Sequence, residues 1–153
     1  MSQTTEPLLP SEHIKNILVT NGFRWNQQPA QAWDTWIGKM PSSPDAAVTI
    51  YDSGGLASWP HMLLDFPSVQ IKVRGGETEY KEAFLKARAV REMVLGIPSY
   101  DATNGDRIVS ITAIGDVAFT GWDDKKRPEF VFNMRMIIEP NGDNFETSNR
   151  EPL

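Results

Sequence analysis

Two stretches of the chain alternate strictly, and they constrain the fold more than anything else in it. In Ser68–Arg74, Val69, Ile71 and Val73 point one way, while Gln70, Lys72 and Arg74 point the other. In Glu129–Glu139, Phe130, Phe132, Met134, Met136 and Ile138 form one face. A period of two is the signature of strands with one buried and one polar face, so this chain must build a sheet with one side covered. The cover is visible between them. Glu77–Leu95 places Tyr80, Ala83, Phe84, Ala87, Val90 and Val94 on one helical stripe. Glu77 and Glu79 sit near the positive end of its dipole, and Gly96 and Pro98 end it.

The remaining elements follow from local signals. Ser11 is the expected N-cap of a helix over Glu12–Thr20, closed by Asn21-Gly22. Pro29–Ile37 reads as a short second helix with Pro29 at its start and Gly38 at its end. Met40–Pro44 is a linker, and Ala47–Tyr51 is a strand closed by the turn signal Asp52-Ser-Gly-Gly55. Arg107–Ile114 and Asp116–Thr120 are strands, and a polar loop, Gly121–Pro128, leads into the last one. The expected fold is α+β: a single domain with a mixed, mainly antiparallel sheet of four to five strands and a long helix on one face. Residues 11–139 form that domain. Residues 1–10 and 140–153 are polar arms with too little apolar surface to offset their ordering entropy, and no internal repeat is visible.

At 153 residues the chain is the size of one domain, and 40% hydrophobic with 23% charged residues is a globular balance. Fifteen basic against twenty acidic residues give a net charge of −5, which argues against a general nucleic-acid binder but not against a wall that DNA slides past. The absence of cysteine excludes disulfides, thiolate metal sites and a cysteine nucleophile. No apolar run approaches the roughly 20 residues of a membrane span.

No constellation in the sequence carries catalysis. His13 and His61 read as ordinary surface or loop histidines, because a metal site needs three or four converging ligands. Ser53 lacks the strand-to-helix elbow of a hydrolase nucleophile. Neither Gly54-Gly55 nor Gly75-Gly76 fits a phosphate-binding pattern. The sharpest enzyme reading is a Mg²⁺-dependent nuclease with Asp65 as metal ligand and Lys72, in Gln70-x-Lys72, steadying the attacking water. The plainer reading is a solvated strand face. Lys125-Lys126-Arg127 is the one basic run, balanced by Asp123, Asp124 and Glu129. The five tryptophans read equally as interface residues or as caps on the edges of the core, with Trp59 and Trp122, in proline-flanked and polar loops, favouring interface.

The ordered set Pro44-Asp45-Ala-Ala-Val-Thr-Ile-Tyr-Asp52, Gly54-Gly55, Asp65-Phe-Pro67-Ser-Val-Gln70-Ile-Lys-Val-Arg74-Gly75, Tyr80-Lys-Glu-Ala83, Asn104-Gly105, Gly121-x-Asp123, Arg127-Pro-Glu-Phe130 and Asn133 resembles the tail terminator (tail completion, minor capsid) proteins of long-tailed bacteriophages. The resemblance covers about two thirds of the chain, Pro41 to Glu139. It implies a non-enzymatic virion protein, assembled in the host cytoplasm, with no cofactor or metal. Such a protein forms a hexameric ring that caps the tail tube, ends its growth and presents a docking surface for the head, with DNA passing through the centre. The implied partners are further copies of the chain, the tube protein and a head-completion or stopper protein.

A ring needs different patches of one chain to meet. The candidates are Asp52, Trp59 and Asp65 in the Asp52–Asp65 segment, Gln70, Lys72 and Arg74 on the polar strand face, and Trp122, Asp123, Lys125, Lys126 and Arg127 in the second loop. Arg74 and Arg127 are expected to pair with acids of a neighbouring subunit, and Met40–Pro44 and residues 140–153 to order on assembly. Two alternatives stand beside this reading. A head-side adaptor or stopper would bind the portal complex and not the tube, and a nuclease would lose Mg²⁺-dependent cutting on Asp65→Ala.

Overall fold

A computed structural model of the chain describes residues 6–60 and 63–141. In chain order the elements are α1 (Pro10–Thr20), β1 (Asp34–Ile37), β2 (Ala47–Trp59), β3 (Leu64–Arg74), α2 (Tyr80–Leu95), β4 (Tyr100–Asp101), β5 (Arg107–Trp122) and β6 (Pro128–Glu139). They make an α+β fold with one six-stranded sheet ordered β1-β2-β3-β6-β5-β4. β1 runs parallel to β2, and every other pairing is antiparallel. The two alternating stretches are the central pair: Val69 lies opposite Met134, Ile71 opposite Phe132 and Val73 opposite Phe130.

Both helices cover the face that these residues share. Ile14, Ile17 and Leu18 of α1 and Ala83, Ala87, Val90 and Val94 of α2 pack on Val48, Ile50, Val69, Ile71, Val73, Ile108, Phe130, Phe132, Met134 and Met136. The alanines of α2 lie one turn apart and let the helix approach the sheet closely. Each large apolar side chain fully buried here contributes roughly 1.5–3 kcal/mol. The other face carries Gln70, Lys72, Asn133 and Arg135, none of them fully buried.

Several expectations are corrected. The sheet has six strands, not four or five, because two short strands extend its rims. Residues 29–37 form no helix. Trp33 takes a left-handed backbone (φ +67°) incompatible with one, and Asp34–Ile37 pairs with β2 instead. α1 starts at Pro10, one residue before the expected cap, and Glu12 reaches back to accept the Leu9 N–H at 3.0 Å. That frees the Ser11 hydroxyl, which bonds Asp52 instead. α2 starts at Tyr80, not Glu77, since residues 76–79 form a turn with Thr78 at φ +61°. Asp52-Ser-Gly-Gly55 does not end its strand. It is a bulge inside β2, where the register slips between Asp52 and Gly55. Gly55 stands at φ +125°, and a Cβ there would meet the Phe66 carbonyl oxygen at 2.1 Å, so only glycine fits. The split expected near residue 115 is likewise a bulge, and β5 is one strand.

Candidate functional site

His13 is not on a polar surface. It is 1% exposed, and its Nε2 lies 3.0 Å from Asp106 Oδ2. Asp106 also accepts from the Asn141 N–H and from Asn104 Nδ2, while Asn104 Nδ2 donates to the Glu6 carbonyl. Burial pushes the Asp106 carboxyl up, but hydrogen bonds from His13, Asn141 and Asn104 outweigh it and hold it below the ordinary aspartate range. The cluster therefore joins α1, the β4–β5 turn and the last described residue. The signal that places His13 inside is its position four residues before Ile17, on the buried side of α1. His61 lies outside the described residues, as do the greater part of the expected arms.

Around the second loop, the two arginines turn inward. Arg74 is 4% exposed and donates from Nε to the Asp45 carbonyl at 2.7 Å and from Nη2 to the Pro44 carbonyl at 2.9 Å. Burial first, and the charge of Arg127 second, lower its pKa from the usual arginine value. Arg127 is 6% exposed and donates to Asp123 Oδ2 at 2.6 Å, the Ser42 carbonyl at 2.8 Å and Asp45 Oδ1 at 3.1 Å. Asp123 accepts in addition from the Arg127 and Lys125 N–H groups. These bonds outweigh the upward push of desolvation and hold Asp123 low. Arg74 and Arg127, expected to pair with acids of a neighbour, are both bonded to acceptors of their own chain. The same bonds pin Met40–Pro44, expected to order only on assembly, across the polar face, where Thr49 Oγ1 also meets Met40 Sδ at 3.1 Å. Lys125 and Lys126 remain exposed at the loop tip.

Asp52 accepts from the Ser11 N–H (2.9 Å) and hydroxyl (2.7 Å), an anion placed at the positive end of α1. Asp65 Oδ1 accepts from the Ser58 hydroxyl at 2.6 Å. Asp65 shares the helix-covered face with its register partner Ile138, whereas Lys72, opposite Val131, shares the polar one. Seven residues apart along one strand, they are separated by about 23 Å. The acid and lysine of the nuclease reading do not converge, and Lys72 Nζ instead lies 3.9 Å from Glu129 Oε2. Gln70 stands between Tyr51 and Asn133. Among the described residues no three acidic, histidine or cysteine side chains gather as a metal site. A groove of about 530 Å³ between α1 and β4, lined by Ile17, Thr20, Ile97 and Tyr100, carries no converging catalytic set.

What the surface does carry is aromatic. Trp59 is 58% exposed at the end of β2, edge-on to Phe66 at 5.0 Å, with Leu56 exposed beside it. Trp122, 50% exposed at the end of β5, stands 5.8 Å from Phe119 and 6.0 Å from Tyr80. Tyr80 was legible only as a member of the apolar stripe of the helix, and Phe119 only as part of the strand Asp116–Thr120. Their exposure comes from lying where α2 begins and the sheet runs past it.

The family model described as bacteriophage tail terminator protein matches residues 18–140. The chain belongs to the bacteriophage tail terminator family. The match spans β1 through β6 and both aromatic clusters, and it includes Trp33 and Trp36, which lie outside the stretch that carried the resemblance in sequence. No curated protein matches the chain. As a tail terminator, it is a structural component of the virion tail. No helix among the described residues is long and apolar enough to cross a membrane.

Proposed function

We propose that this tail terminator forms a hexameric ring that caps the finished tail tube, halts its polymerisation and offers the head-docking surface, with DNA passing through the centre. The observation that carries the reading is the family match over residues 18–140. Two unlike aromatic patches, around Trp59 and around Trp122, support it, because head-to-tail contact in a ring brings different surfaces of one chain together. The net charge of −5 suits a channel that must not hold DNA. Among the candidate contacts, Trp59, Trp122, Lys125 and Lys126 are exposed and fit partner contact; Arg127 holds the loop that presents Lys125 and Lys126 against Ser42 and Asp45, and Arg74 fixes the Pro44 and Asp45 carbonyls.

One ring face would match a tube subunit and the other would not repeat it, so that growth ends there. The partners are the tube protein below and a head-completion or stopper protein above. Electron microscopy of tubes grown from their own tube protein tests this. Six-fold density at one end with elongation halted is expected on adding the chain. Continued growth without added density would overturn it.

A further inference from the structure

Among the described residues, two long rims of the sheet have no partner strand. β1 pairs only with Ala47–Ile50, so among the described residues the outer edge of β2 over residues 51–59 meets no strand. β4 pairs only with Arg107 and Ile108, and Ser99 bonds the Val109 carbonyl, which leaves the outer edge of β5 over residues 114–122. Among the described residues the Gly115 carbonyl accepts from Arg91 at 3.4 Å, and the Val117 N–H donates to the neighbouring Asp116 carboxylate at 2.7 Å. Monomeric proteins blunt such edges with lysine, proline, inward charges or bulges, and of these the two stretches carry bulges. Neither stretch contains lysine, arginine or proline, and each has a single charge: Asp52, bonded to Ser11, and Asp116, 3.9 Å from Arg91.

The two edges complement one another. Strand directions alternate from β2 through β3 and β6 to β5, so copies standing side by side set β5 antiparallel to β2. Apolar side chains match by face. On the helix face, β2 offers Gly55 and β5 offers Phe119 and Trp122. On the other face, β2 offers Leu56 and Trp59, and β5 offers the small Ala118 opposite Leu56 and the exposed Ile114 opposite Trp59, an apolar pair. From this we infer that β2 residues 51–59 of one copy pair antiparallel with β5 residues 114–122 of a second copy, head to tail.

The offset between the edges has the right size for closure. Through Val131 and Lys72, Ala118 lies in the same row as Thr49 of its own chain. Setting a neighbour's Ala118 opposite Leu56 shifts that copy about six ladder steps along the strands once the bulge is allowed for, roughly 20 Å. Four strands per copy span about 19 Å across. A ring made this way has strands tilted about 45° to its axis, close to the 35–45° of closed barrels. Two like edges meeting would instead close a two-fold dimer.

This inference rests on the ring reading, and the absence of cysteine gives a clean test of both. Single-cysteine variants Leu56→Cys and Ala118→Cys, full length, are purified separately, mixed, and treated with a short thiol cross-linker, alone and with tail tubes. Mass is measured in parallel without cross-linker. Cross-linked dimers in the mixture only, and a ladder from the chain carrying both cysteines, are expected. Assembly without a cross-link in the mixture, or dimers within either single variant, would overturn the edge pairing while leaving a ring. A chain that stays monomeric alone and on tubes would overturn the ring reading, and the pairing with it. Ala118→Lys provides a second readout: assembly should weaken at least tenfold with an unchanged thermal midpoint, and unchanged assembly would count against the pairing.

Discussion

In the middle of the sheet, β3 and β6 sort their side chains by face, and the helices bury one set completely. At the rims, β2 beyond Ile50 and β5 from Ile114 onward leave apolar side chains in solvent on both faces. The residue types are similar, yet Phe132 is 1% exposed and Phe119 41%. The difference teaches that the buried middle holds the monomer together, while the exposed rims are the part of the sheet proposed for assembly contacts. Substitutions in the middle should act on folding, and substitutions at the rims should act on assembly.

The largest separation is expected for Phe132→Ala, which removes a buried ring and should cost about 3–5 kcal/mol of folding stability, read by chemical denaturation. Next is Asp106→Ala, expected to cost about 1–3 kcal/mol by removing the carboxylate that His13, Asn104 and the Asn141 N–H share. Because the Asp106 carboxyl is held below its unfolded value, its contribution is full above the ordinary aspartate range and fades as pH falls through the lowered folded value. The thermal midpoint gap between the native chain and Asp106→Asn should therefore be widest near neutrality and narrow in acid; a gap that grows in acid would refute this assignment.

Gly55→Ala sharpens the boundary, since it lies on a rim strand but meets the Phe66 carbonyl within the chain. It should destabilise the monomer by about 1–3 kcal/mol, unlike its exposed neighbours. Trp59→Ala and Trp122→Ala should be smallest in the monomer, within about 0.5 kcal/mol, while reducing capping of tail tubes. A large stability loss from either tryptophan would erase the distinction between middle and rim.

How far the sequence could be read follows from the same distinction. Ser68–Arg74 and Glu129–Glu139 were legible as strands, and Ala83, Ala87, Val90 and Val94 as a buried stripe, because burial on one face writes a period into the residues themselves. Residues 29–37 misled because the tryptophans and isoleucine fall at helical spacing, while the parallel partner that makes them a strand lies at Ala47–Ile50. Asp52-Ser-Gly-Gly55 and Gly115 carry the residues of a turn, and a bulge uses the same ones. Only a partner strand continuing past them tells the two apart.

At the candidate site, sequence singled out Trp59, Trp122 and the Asp123–Arg127 loop through residue type alone. It could not tell an arginine free for a neighbour from one spent on Pro44, Asp45 and Ser42, because those acceptors are backbone carbonyls and distant acids. The sequence by itself determined the class of fold, the helix-covered face and the family, all of which rest on local periodicity and ordered spacing. Tertiary structure alone decided which arginines are committed, that His13 is buried against Asp106, and which strand edges meet no other strand among the described residues. Each of those depends on residues brought together from far along the chain, where no local pattern records the contact.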